Sequence, residues 1–390
     1  YLINITVLTN NYYFGIFQIK IFKSFKNIII VGIYFIFAPK LYNLSKQYKF
    51  ITLGDFISYR FNSKHLTLLI SMISIVALGN YILTNLKAIG FIAVGITGGK
   101  ISFINAVIVL SIIMVIYETL GGMRSVAWTD TIQGILLLLG VSSIFFIIIF
   151  QYGSLSSISS SLKLIRPEFW DPPNYYDKIK WFSTIIIVSI GVAVYPHAIQ
   201  RIYSAKSALT LKRSLQIMIF MPFVTTLFMI IVGIVGATQI YNLNKLESEQ
   251  IAILLLSDLV YQLPVISWLI ALFFGAALAA IMSTVDSALL AISSIITKDI
   301  FNQFKPKLDQ NSLLVYGKMI SWFIMFIAVI MAITLPNTIW QLFQIKLELL
   351  CQIAPAVIIG IHIESINYKS ILVGIYFGVI VSLFFMIGNW

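Results

Sequence analysis

Long apolar runs recur along this chain and decide most of what it can fold into. A helix needs ~20 consecutive apolar residues to cross the hydrocarbon of a bilayer. Runs of that kind fall at residues 27–42, 66–94, 101–120, 128–151, 181–202, 211–238, 265–298, 313–335 and 337–363, with a closing one at 369–388. The last two decide between nine and ten crossings. None alternates polar and apolar residues as a transmembrane barrel strand does, so the expected class is an all-α polytopic membrane protein embedded in lipid.

Composition agrees: 59% of residues are hydrophobic and only 10% charged. A net charge of +12 in a soluble chain would point to nucleic acid, but here the basic residues sit mainly in short loops, where they report topology. Most fall on the side that holds Lys40, Lys46, Arg60, Arg124, Arg201 and Lys298, which the positive-inside rule makes cytoplasmic. Lys87, Lys318 and Lys346 lie inside the apolar runs. A single cysteine, Cys351, excludes an internal disulfide, and three scattered histidines argue against zinc.

Residues 1–26 form an atypical N-terminal segment, with neither a signal-peptide pattern nor a clean span, and the chain is expected to lack its natural start. Residues 27–390 read as one transmembrane domain.

Two stretches carry polar residues that an apolar chain does not need. In "AALAAIMSTVDSALL", Ala276 to Leu290, helical spacing puts Ala276, Ala280, Ser283, Thr284, Ser287, Ala291 and Ser294 on one stripe. Small residues let another helix approach closely, and the hydroxyls can bond back to carbonyls a turn earlier, which makes a packing seam. The other reading is a cation site, with Ser283 and Thr284 supplying hydroxyls above the Ala280 carbonyl. Asp286, at the edge of the stripe, is expected to pair with a neighbouring helix rather than face lipid.

The second stretch, "YETLGGMRSVAWTDTIQG" from Tyr117 to Gly134, is expected to end one span, turn on Gly121 and Gly122 and open another. Thr129 or Asp130 would cap the new helix; alternatively Asp130 attracts cations at the inner mouth of a pathway.

With "TLGDFISYRF", "YPHAIQRIYSAKS" and "QIAPAVIIG", these stretches stand in an order that resembles the sodium/solute symporter family, from about residue 27 to 388. That family carries proline, pantothenate, monocarboxylates or sugars together with sodium. The resemblance implies a LeuT-type inverted-repeat helix bundle, here lacking its first helices, with ion and solute near the midplane. It implies that Ala280, Ser283 and Thr284 hold a sodium ion and that Asp130 assists its movement toward the cytoplasm. It also implies that Pro196 breaks the helix at 181–202 beside the solute, with Tyr195 and His197 flanking it. For His197 a packed or carbonyl-bonded histidine is the competing reading. Val192 stands where proline and sugar carriers often place an aromatic gate, and "YPH" looks more like the monocarboxylate-type branch.

The function expected on this basis is sodium-coupled transport of a small organic solute, such as an amino acid or a monocarboxylate, in the plasma membrane. Two alternatives stand beside it: a truncated remnant without transport, and the membrane sensor part of a signalling protein. No His, Cys and carboxylate cluster recurs at catalytic spacing, so an enzyme is not expected. The segment expected to be missing would supply the remaining sodium ligands, so this form alone is not expected to couple sodium to transport.

Overall fold

A computed structural model describes residues 16–165, 167, 171–172, 174–240, 250–301, 309–336 and 339–387, without the side chains of 16–28, 122–127, 221–223, 310, 340, 383 and 385–387. All regular structure among them is helical. In chain order the helices are α1 (Ile16–Tyr48), α2 (Leu53–Phe61), α3 (Lys64–Ile96), α4 (Phe103–Tyr152), α5 (Leu155–Ile165), α6 (Tyr175–Ala193), α7 (Pro196–Ser204), α8 (Ala208–Gln239), α9 (Ile251–Gln262), α10 (Ser267–Ser294), α11 (Gln310–Thr334), α12 (Ile339–Ala354) and α13 (Tyr368–Ile387). Wider π-helical turns extend α10 through Ile295–Phe301 and α12 through Pro355–Ile359.

Local chemistry sets the ends. Thr52 and Asp55 form a reciprocal capping box at the start of α2. Asn62 closes α2 in the left-handed conformation, and Ser63, Ser102, Asn174 and Ser207 cap α3, α4, α6 and α8. Asp299, at the far end of α10, accepts hydrogen bonds from Thr52 (2.5 Å) and Ser71 (3.0 Å), and Lys298 pairs with Asp55 at 2.7 Å. Five polar residues thus fasten α2 and the start of α3 to the end of α10. Gly54 makes the close approach possible, because a Cβ there would lie 2.3 Å from an Asp299 oxygen.

Among the described residues, three apolar clusters make the interior. One joins α1, α2, α6, α7 and α12 (Phe37, Phe56, Val188, Ile199, Leu350). Another joins the second half of α4 to α8, α9 and the start of α10 (Ile144, Val235, Leu255, Phe273). The third joins the first half of α4 to α11 and the end of α10 (Val115, Met325, Leu289). Helix α3 feeds all three, through Ile70, Ile92 and Ile82 respectively, and is the pillar around which the bundle closes.

Several expectations need correction. Among the described residues, seven helices are long and apolar enough to span a membrane, or eight if the bent pair α6 and α7 counts as one. The run at 27–42 belongs to the longer α1, whose polar second half carries Lys40, Asn43, Ser45 and Lys46. The closing run at 369–388 lies in α13 as far as residue 387, its last residue falling outside the described ones, and the apolar part of α13 is Tyr368–Ser382. Between the apolar runs at 211–238 and 265–298, where no run was expected, lies α9, which buries Leu255 and Leu256; at 12 residues it is too short to show as a span.

The chain does not leave the helix at Gly121 and Gly122. Backbone helix continues from Phe103 to Tyr152, 50 residues. A straight rod of that length would measure ~75 Å against a ~30 Å hydrocarbon core, and the two apolar halves, Phe103–Gly121 and Trp128–Tyr152, are separate spans. Asp130 therefore sits within a helix and caps nothing. Glycines in a chain held by lipid and neighbours permit a turn without compelling one.

Candidate functional site: a cavity at the helix break

Pro196 interrupts its helix as the sequence requires. It has no N–H to give and clashes with the preceding turn, so α6 stops at Ala193 and α7 restarts with Pro196 in its first turn, bent by 44°. The Val192 carbonyl at the break accepts the Tyr195 N–H (3.4 Å) and the Tyr34 hydroxyl (3.1 Å).

Beside this break lies a cavity of about 490 Å³, in the range of small-molecule sites. Ala280, Ser283 and Thr284 line it from α10, facing Asp130 and Gln133 of α4, while Tyr195 and Val192 line it from the break. The polar stripe of α10 thus points inward, beside the helix segment that begins at Trp128. Thr284 donates its hydroxyl proton to the Ala280 carbonyl at 2.9 Å, the back-bond of a packing seam. That geometry also suits a cation, since the hydroxyl keeps its lone pairs and its proton can leave the carbonyl to make room for the ion.

The expected residues divide. Ala280, Ser283, Thr284, Asp130 and Tyr195 come together in the cavity wall. Pro196 acts by breaking the helix, and neither it nor His197 lines the cavity. His197 stacks on Tyr81, with centroids 5.3 Å apart and planes 16° apart, and lies 5.1 Å from Tyr195; its Nδ1 has no hydrogen-bond partner. It is a packed histidine that supports the wall.

Asp130 is already engaged. Arg201 of α7 donates to it at 2.6 Å and to Ser287 of α10 at 2.6 Å, linking three helices through one guanidinium. The sequence places Arg201 among loop charges; the short α7 after the break is what brings it to the cavity.

Lys346 of α12 was likewise visible only as a lysine inside an apolar run. It is 1% exposed and lines the cavity, with no hydrogen-bond partner for its amine. Its Nζ lies 3.7 Å from the Tyr81 ring centre, 4.6 Å from Phe343 and 5.4 Å from Tyr195. An ionisable group at bilayer depth is costly, and that cost was the available signal.

Asp286 corrects another expectation. It is fully buried, as expected of a residue turned from lipid, yet neither carboxyl oxygen has a partner. A buried polar group left unsatisfied costs about 1–3 kcal/mol. Asp286→Leu, which keeps the branching and replaces oxygens by methyls, is therefore expected to raise the unfolding midpoint of the purified protein in sodium-free detergent. A lower midpoint would show that the carboxyl has a partner.

A helical bundle with a broken helix facing a polar stripe across a central cavity defines a secondary-transporter architecture. A model of the sodium:solute symporter family matches residues 9–378, and the chain belongs to that family. Over 344 residues it is 24% identical to the uncharacterized symporter YhjB of Bacillus subtilis, covering 88% of this chain and 68% of that protein. It is 28% identical to the sodium/pantothenate symporter of Haemophilus influenzae over 74% of this chain and 57% of that one. The chain thus spans between about three fifths and two thirds of these relatives' length. A solved Na+-coupled sialic acid symporter in a substrate-bound, outward-open state superposes with a TM-score of 0.73 at 18% identity, covering 95% of this chain and 78% of that one. The fold is therefore the LeuT-type bundle.

Proposed function

We propose that this chain is a sodium-coupled symporter of a small organic solute, such as an amino acid or a monocarboxylate, working in the plasma membrane. One observation carries the reading: the Ala280, Ser283 and Thr284 turn and the Pro196 break border the same cavity. Sodium, the co-transported ion, would sit against the Ala280 carbonyl and the hydroxyls of Ser283 and Thr284, and the solute beside Tyr195. Each ligand then stabilises an arrangement that the other also favours, and this shared preference is what coupling requires.

Asp130 takes a different part from a free cation trap. Its carboxylate is held by Arg201, so it serves the pathway by fixing α7 against α4 and α10 until that guanidinium lets go.

Purified protein in sealed vesicles tests the reading, which reverses the expectation from the sequence that this form alone does not couple sodium to transport, because the stripe of α10 and the helix break border one cavity in the chain as it stands. An imposed inward sodium gradient is expected to drive accumulation of at least one of a panel of labelled amino acids and carboxylates above its external concentration. A potassium gradient of the same size is expected to drive none. Equal uptake in both, or none in either, would sink the proposal.

A further inference from the structure

We infer that Lys346 is the anchor for an anionic group on the transported solute, and that the site selects carboxylates over neutral molecules of the same shape. The inference rests on the transport reading and narrows its substrate class.

Charge balance is the first argument. Among the described residues, three charged side chains line the cavity: Asp130, Arg201 and Lys346. Asp130 and Arg201 pair at 2.6 Å and cancel. Lys346 is left with no hydrogen-bond or ion-pair partner, at 1% exposure. A buried ammonium without an anion is strongly disfavoured, and one gaining a carboxylate within the same cavity recovers both a charge-assisted hydrogen bond and the lost solvation. A sodium ion bound at Ala280, Ser283 and Thr284, which line the same cavity, adds a second positive charge and so increases the demand for an anion.

Geometry is the second. The amine lies over the faces of Tyr81 and Phe343, with Tyr195 a little farther off. Rings on that side hold the cation in place by their negative faces and leave its remaining N–H bonds for the cavity. The adjoining wall is apolar at Ile30, Val188 and Val192, which suits the hydrocarbon part of a small acid. A carboxylate on Lys346 would have its body along that wall, next to the helix break.

The test compares acids with neutral analogues on the whole chain in detergent with saturating sodium, reading the unfolding midpoint against ligand concentration. The pairs are L-lactate with lactamide, propionate with propionamide, and pantothenate with panthenol. At least one acid is expected to stabilise the protein at a concentration at least tenfold below that needed of its neutral partner. Lys346→Met is expected to abolish that difference and Lys346→Arg to keep part of it. Neutral partners that match their acids, or no stabilisation by any of the three acids, would overturn the inference on the unmodified protein alone. So would an acid preference that survives in Lys346→Met. Failure of the transport reading looks different: acids would still outperform neutral partners, but sodium would drive no uptake in vesicles.

Discussion

Thr284→Ala is expected to raise the sodium concentration for half-maximal uptake by at least tenfold, which corresponds to about 1.4 kcal/mol of lost ion binding. The deletion removes one oxygen from the cavity wall and little volume. The bond it breaks, to the Ala280 carbonyl at 2.9 Å, is a second bond to an oxygen the helix ladder already uses, so no buried group is orphaned. The unfolding midpoint without sodium is therefore expected to move little. Thr284→Ser keeps the oxygen and is expected to behave almost as the parent. Sodium dependence unchanged in Thr284→Ala would leave the α10 stripe as a packing seam only.

Gly54→Val is expected to be more damaging than any change in the cavity, although Gly54 is far from it in sequence. The new Cβ would fall 2.3–2.7 Å from three atoms of the Asp299 carboxyl group. That group cannot swing aside freely, because Thr52 and Ser71 both bond to it and all three residues are buried. Displacing it leaves two hydroxyls and a carboxyl unsatisfied, a loss of about 3 kcal/mol or more. Gly79→Ala supplies the control: nothing lies within 4 Å of its added Cβ, and alanine in a helix is expected to be neutral or stabilising by up to about 1 kcal/mol. Chromatographic homogeneity and thermal melts separate the outcomes. A Gly54→Val protein as stable as the parent would show that the polar fastening contributes little.

The legible parts of this molecule were those fixed by local rules. Apolar runs gave most of the spans, Pro196 gave the break, and the spacing of Ala280, Ser283 and Thr284 gave an inward stripe, because each depends on one segment alone. Arg201 and Lys346 escaped for a different reason. A lysine in an apolar run shows its cost but not which cavity it faces, and Arg201 reaches Asp130 and Ser287 only once α7 has been turned by a break five residues earlier. The continuous α4 also escaped, since Gly121 and Gly122 leave the chain free to turn and the surrounding helices decide whether it does.

The 44° bend between α6 and α7 makes the second helix a lever. Arg201 stands five residues beyond Pro196, so its guanidinium rides roughly 10 Å from the pivot at a helical rise of ~1.5 Å per residue plus the side chain. A rotation of about ten degrees at the break carries it by roughly 2 Å, enough to take both 2.6 Å bonds beyond hydrogen-bonding range. The break beside the solute and the clamp on Asp130 and Ser287 are then two ends of one moving part. With the solute beside Tyr195 as proposed, filling the cavity would bear on that angle, and the angle would decide whether Arg201 still bridges Asp130 and Ser287.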